Sequence, residues 1–257
     1  MTQPLAGRRV LVTRGTKQAS TLSEGLRALG ATPVEVPVIE IRPPQSYESL
    51  DRALRQIDVY DWLILTSANS VRAVSERATS LGFELHLKIG YKLAAVGPAT
   101  AAEARKSNFE VSVIPESYVA ESLISVLQRK TAGKRVLLAR AAIARDVIPD
   151  ALRESGATVD VVEAYQNALP DAAPEQLRHA VSERIDAATF TSSSSAKHLA
   201  EAARRAGIAF PLTGVPAISI GPITSQTLRE LGWPPAGEGD ASEIAGLIRA
   251  VVRVLRA

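Results

Sequence analysis

The chain has 257 residues, no cysteine and a formal net charge of +3, which excludes disulfides, thiolate catalysis and Cys-based metal or iron–sulfur sites. Hydrophobic residues make up 46% and charged residues 22%. That is the balance of a globular chain, and no apolar run approaches the ~18–20 residues a bilayer span needs. Basic residues are scattered in pairs such as Arg8-Arg9 and Arg204-Arg205, and aromatics are only 4%. This argues against a nucleic-acid partner, which would require a basic stripe or stacking platforms.

The N-terminal stretch MTQPLAGRRVLVTR enters a strand directly, without a signal-peptide core, so a cytoplasmic location is expected. Val10–Thr13 reads as a buried strand. Leu22, Leu26 and Leu29 then share one helix face, and Gly30 closes the helix. Residues 33–43 alternate apolar and polar as a long strand broken at Pro37, where the chain is expected to leave one sheet. A helix near 47–57 leads to the strand Trp62–Leu65, and Val71, Val74, Ala78 and Leu81 form the stripe of the next helix.

Further strands are expected at Leu93–Val96, Val111–Ile114, Val136–Ala139, 158–169, 187–191 and 217–220. The helices between them are expected to about Lys106 and over 119–129, 147–154, 174–183, 194–206 and 223–231. Residues 234–237 read as a loop before a terminal helix from about Ala241, and Trp62 and Trp233 read as packing residues. Strands alternating with helices throughout predict parallel sheets flanked by helices, an α/β fold.

The chain repeats itself. DWLILTSANSV at 61–71 returns as DAATFTSSSSA at 186–196, an offset of 186 − 61 = 125. GRRVLVTR at 7–14 returns as GKRVLLAR at 133–140, LRALGAT at 26–32 as LRESGAT at 152–158, and the Gly97-Pro98 turn as Gly221-Pro222. Four matched segments in one order indicate two related halves, which by repeats alone divide near residue 126.

In open α/β sheets ligands bind at the carboxyl ends of the strands. The polar residues gather there: Arg14 after Thr13; Thr66, Ser67 and Asn69; Gly97 to Thr100; Arg140; Ser192, Ser193 and Ser194 after Thr191; Gly221, Pro222 and Thr224. Hydroxyl and N–H groups beside helix N-termini suit an anionic ligand. The same serines also read as plain N-caps, Gly-Pro as an ordinary helix opening, and Arg14 and Arg140 as surface ion pairs. No GxGxxG or P-loop occurs, and His86, His179 and His198 lack metal-ligand spacing. Ser194 and His198 lie one turn apart, but no glycine elbow surrounds the serine, so His198 reads as a solvent-exposed helix residue. Tyr165, in Glu163-Ala164-Tyr165-Gln166, reads either as a cross-strand aromatic contact or as a phenol able to donate a proton.

Taken together, VLVTR, DWLILTSANSV, AVGPATA, EAYQ, TFTSSSS and ISIGPITSQTL resemble the uroporphyrinogen-III synthase family in order and spacing over roughly residues 8–232. The resemblance implies two α/β lobes, each a parallel sheet flanked by helices, joined by a two-stranded antiparallel β-ladder with a cleft between. It puts residues 1–37 and 167–257 in one lobe, 45–160 in the other, and 38–44 and 161–166 in the connecting strands. It implies cofactor-independent closure of hydroxymethylbilane, a polycarboxylate tetrapyrrole, to uroporphyrinogen III with inversion of ring D and loss of water. Tyr165 matches the family's proposed proton donor, and Thr66, Ser67, Thr100, Ser192, Ser193, Gly221 and Thr224 match cleft-lining positions. A monomer with no metal, cofactor, nucleic-acid or membrane partner is expected. The alternative is a non-catalytic two-lobed binding protein for a small anionic ligand.

Overall fold

The computed structural model describes residues 3–256 apart from 15, 84, 86–89, 118, 241 and 242, and for residues 16–20 the backbone alone. His86 and the expected start of the terminal helix at Ala241 lie outside the described residues. The elements in order are β1 (Arg9–Val12), α1 (Thr16–Ala28), β2 (Thr32–Glu35), β3 (Glu40–Arg42), α2 (Glu48–Arg55), β4 (Trp62–Leu65), α3 (Ala68–Ser80), β5 (Lys92–Ala95) and α4 (Pro98–Lys106). There follow β6 (Val111–Val113), α5 (Ala120–Thr131), β7 (Arg135–Ala141), α6 (Val147–Glu154), β8 (Thr158–Ala168) and α7 (Ala173–Ala180). The chain ends with β9 (Ala187–Phe190), α8 (Ser193–Ala206), β10 (Ala217–Ser219), α9 (Pro222–Glu230), β11 (Gly237–Glu238) and α10 (Ile244–Arg256). The segment 33–43 divides as its proline dictates, with β2 in one sheet and β3 in the other. The loop expected over 234–237 instead ends in β11. Two residues at a sheet edge carry too little alternation to register as a strand.

The chain forms two units, Met1–Glu40 with Ala168–Ala257, and Ile41–Asn167. The first has a five-stranded sheet ordered β11-β10-β9-β1-β2, parallel throughout. Leu11, Ala188 and Phe190 face one side and pack with Leu177, Leu199, Ala203 and Trp233. Val10, Val12, Ala187 and Ile218 face the other and pack with Leu22, Leu26, Leu247 and Val251. Both faces are covered, which is why these strands are short continuous apolar runs. Among the described residues no helix is long and apolar enough to cross a membrane.

The second unit has a six-stranded sheet ordered β3-β8-β7-β4-β5-β6, parallel from β8 to β6. Leu63, Leu65, Leu137 and Ala139 pack beneath Val71 and Val74, and Trp62, Ile64, Val136 and Leu138 pack beneath Leu123, Leu127 and Leu152. Both tryptophans are buried packing residues.

The spatial order β8-β7-β4-β5-β6 is that of β2-β1-β9-β10-β11, matched through the sequence repeat. The repeat near 126 is therefore not a boundary between units. The opening βαβ of each half completes the sheet of the other: β7 and β8 join β4–β6, and β1 and β2 join β9–β11. Local chemistry repeats as well. Gly30 and Gly156, 126 positions apart, both have φ +90°, and each closes its helix with a Schellman pair of bonds (Ala31 N–H to Leu26 O, Gly30 N–H to Arg27 O, and their counterparts at 157 and 156).

At the amino ends of the strands, Asp186 and Asp61 form matching clamps. The Arg9 N–H donates to Asp186 Oδ2 at 2.9 Å and Arg8 to Oδ1 at 3.2 Å; the Arg135 N–H donates to Asp61 Oδ2 at 2.9 Å and Lys134 to Oδ1 at 3.0 Å. Burial pushes the Asp186 carboxyl up, but the Arg9 N–H, Arg8 and Arg184 together outweigh it and hold it below the usual range. The Arg135 N–H and Lys134 lower Asp61 in the same way. The Asp186 side chain is 6% exposed and that of Asp61 38%. Asp186→Ala, which strands a partly buried N–H, is expected to cost about 1–3 kcal/mol in urea denaturation at pH 7, and Asp61→Ala less. Because the folded-state pKa is lowered, this stabilisation is complete above the free aspartate value near ~3.9 and is lost as pH falls through the folded value. The difference between wild type and Asp186→Ala should therefore shrink in acid. A pH-independent difference would assign the cost to packing.

Candidate functional site

Strand order fixes where each unit offers a site. In the second unit the chain leaves β4 towards β5 and leaves β7 towards β8, so the sheet switches direction between β4 and β7. In the first unit the switch lies between β1 and β9. Ligands of open α/β sheets bind outside the carboxyl ends at such points. Thr66, Ser67 and Arg140 stand at the first switch, and Arg14, Ser192, Ser193 and Ser194 at the second.

Ser67 (φ −159°, ψ 160°) is the N-cap of α3. Its Oγ accepts the Ser70 N–H at 3.0 Å, and the Ser67 N–H donates to Ser70 Oγ at 3.1 Å, a reciprocal capping box. Ser192 caps α8 through the same bonds with Ser195, at 3.1 and 3.3 Å. The capping reading of these two serines thus holds, and their hydroxyls also stand at the rim.

Only the second unit adds a phenol. Along β7–β8 the register runs Arg140↔Glu163 and then Ala141↔Tyr165, so β8 carries one extra residue at this point. The shift leaves Ala164 and Tyr165 both buried, breaking the alternation. Tyr165 is 6% exposed, its ring in the core beneath α3, and its Oη lies 3.0 Å from Ser67 Oγ. Counting back 126 positions gives 165 − 126 = 39, an isoleucine, and its neighbours Val38 and Glu40 are not aromatic either. Beside Tyr165 is a cavity of about 350 Å³ whose walls include Ile41, Arg42, Tyr47 and Arg77. Arg77 is held there by Asp51, with bonds of 2.6 and 2.5 Å, and lies 4.1 Å over the Tyr47 ring.

The other expected residues separate by unit. Gly97 and Gly221 are N-caps of α4 and α9, with Pro98 and Pro222 as first helical residues, and Thr100 and Thr224 are buried one turn in. Ser193 accepts from Thr227 at 2.8 Å and so ties α8 to α9; Ser194 is half-buried. Asn69 accepts from Arg72 at 2.6 Å. Arg140 turns its guanidinium to the Arg145 carbonyl (2.8 Å) and Asp146 (2.5 Å), an ion pair at the rim. Arg14 is half-buried, and burial lowers its pKa.

His198 corrects the sequence reading. It is half-buried, and its Nδ1 lies 2.8 Å from the Val38 carbonyl. A helix position chosen for its distance from Ser194 gave no sign that the segment after β2 passes over it. The sequence reading also missed an apolar component of the rims: Ile143, just after β7, is 90% exposed, and Ile223, at the start of α9, is 58% exposed. Their signal was isoleucine in a bend after a strand and in the first turn of a helix, where little is available to bury it.

Two sheets of one strand order, each with a hydroxyl-bearing helix cap at its switch point, define a duplicated, doubly wound α/β protein, a fold class that binds its ligands at strand ends. The family model described as Uroporphyrinogen-III synthase HemD matches residues 20–249. A uroporphyrinogen-III synthase of Synechococcus elongatus is 34% identical over 254 residues, 97% of this chain and 96% of that protein. The chain belongs to the uroporphyrinogen-III synthase family. Its fold is also that of solved uroporphyrinogen III synthases from Helicobacter pylori (TM-score 0.68, 17% identity, 96% of this chain and 99% of that one) and Thermus thermophilus (a mutant form; TM-score 0.66, 23% identity, 97% and 99%).

Proposed function

We propose that the chain closes hydroxymethylbilane to uroporphyrinogen III, inverting ring D and releasing water, with Tyr165 as proton donor. The observation that carries the residue assignment is the Tyr165 hydroxyl resting on the N-cap of α3 at a switch point. The phenol gives its proton to the departing hydroxyl, which leaves as water, and the substrate becomes an azafulvene cation. A substituted carbon of ring D attacks it, and the spiro intermediate fragments and recloses with the ring inverted. The proton lost from the pyrrole carbon at closure restores the phenol.

The substrate has eight carboxylates, and the hydroxyl and N–H groups of Thr66, Gly97, Thr100, Ser192, Ser193, Ser194, Gly221 and Thr224, with Arg14, supply complementary donors. Closure without inversion is spontaneous, so the binding groups chiefly select one attack geometry. The same reading makes the protein a cytoplasmic monomer with no nucleic-acid partner and no metal requirement. The test is to give metal-free protein hydroxymethylbilane and separate the oxidised products. Predominantly type III uroporphyrin is expected. Type I alone, at the spontaneous rate, would overturn the proposal.

The exposed rim isoleucines suit the apolar faces of pyrrole rings. Ile143→Asp is expected to raise KM about tenfold, equivalent to ~1.4 kcal/mol of binding, while leaving Tm unchanged, since its side chain packs on almost nothing. An unchanged KM would remove Ile143 from the substrate surface.

A further inference from the structure

The two capping boxes make a matched pair, and only one of them meets a phenol. Ser67 Oγ accepts the Ser70 N–H, so its lone-pair side towards the helix is occupied while its own proton remains to be given. Among the described residues the group facing that proton is Tyr165 Oη at 3.0 Å, where either oxygen could donate, and no second side chain hydrogen-bonds Tyr165 Oη. When Ser67 donates, the phenol's own proton points away from the helix, free for transfer. At Ser192 the bonds to Ser195 are the same, but no tyrosine hydroxyl bonds Ser192 among the described residues.

We propose that Ser67 is a positioning residue for Tyr165: its hydroxyl holds the phenol oxygen as a donor, orients the transferable proton outward, and supports the phenolate that forms when the proton leaves. The inference rests on the reading of Tyr165 as the proton donor. The Oη–H bond breaks, the proton goes to the departing substrate oxygen, and the electron pair stays on Oη facing the Ser67 O–H. The N-terminal end of α3, whose Ser70 N–H bonds Ser67 Oγ, lies behind that bond.

A hydroxyl that supports the phenolate acts when the proton leaves, so its loss should fall on kcat and not on KM. Five single variants and one double variant test this. Ser67→Ala is expected to lower kcat about tenfold at constant KM. Ser67→Asp, which keeps an N-cap acceptor but has no proton to give, is expected to retain Tm and show the same loss in kcat. Ser67→Thr is expected to restore kcat. Ser192→Ala, which loses the matching cap, is expected to lower Tm as Ser67→Ala does, with its effect on turnover in KM. In a Tyr165→Phe background Ser67→Ala is expected to cost nothing further, because the two act as one unit. An equal tenfold loss in that background, or a wild-type kcat in Ser67→Asp, would overturn the role of Ser67 while leaving Tyr165 as the acid. A full rate in Tyr165→Phe alone would instead overturn the underlying reading.

Discussion

Tyr165→Phe is expected to reduce kcat by about 10²-fold, the lower end of what a positioned acid contributes, or ~2.7 kcal/mol of barrier. The expectation is large because the substitution is otherwise mild. The ring lies in the core with Leu65, Val162 and Ala164, and phenylalanine refills that volume. Ser67 keeps its bond from the Ser70 N–H, so α3 stays capped. Substrate carboxylates meet other groups, so KM is expected to change little, and a loss in kcat at constant KM marks an interaction made in the transition state. Steady-state kinetics of type III formation decide the matter. Wild-type turnover in this variant would make Tyr165 a packing residue.

The largest loss of stability is expected at Phe190. Its side chain is fully buried and meets Trp233 edge-on at 5.3 Å, with Phe210 on the same indole at 5.2 Å. The indole is itself fixed, its Nε1 donating to the Val215 carbonyl at 3.0 Å. Phe190→Ala should cost about 3–5 kcal/mol, because this three-ring cluster has no flexible member to close the void. That is a large share of the ~5–15 kcal/mol typical of a folded protein. Phe190 also ends β9 immediately before Thr191 and the Ser192 cap, and its carbonyl accepts the Ile220 N–H at 2.9 Å. The rim of the first unit is thus anchored by this ring. Denaturant unfolding of Phe190→Ala and Phe190→Leu measures the effect. A cost below ~1 kcal/mol in the alanine variant would show that the cluster relaxes.

Most of the alternation of strands and helices was legible in the sequence because buried parallel strands are short apolar runs and their helices carry apolar stripes. The rim was legible for a similar reason: Thr66-Ser67 and Thr191-Ser192 follow such runs, and Gly97-Pro98 and Gly221-Pro222 open helices. Pairing was not. Nothing local in GKRVLLAR states that it lies beside WLIL of the first half, with β7 in register with β4 from Trp62↔Val136 to Leu65↔Ala139, so the repeat suggested a boundary that the exchanged βαβ elements contradict. The extra residue in β8 was hidden as well, since EAYQ alternates plausibly either way. Its effect, aiming Tyr165 at Ser67, depends on pairing with Ala141. His198 failed for the same reason, because its partner Val38 is 160 positions away.

In the proposed reaction the rims decide which isomer forms and the phenol how fast. Those roles separate in one measurement: the isomer distribution produced by Tyr165→Phe with protein in excess over hydroxymethylbilane. A slow reaction that still yields predominantly type III is the predicted result. A product that turns to type I in step with the loss of rate would contradict it, because Tyr165 would then be needed to select the geometry of attack.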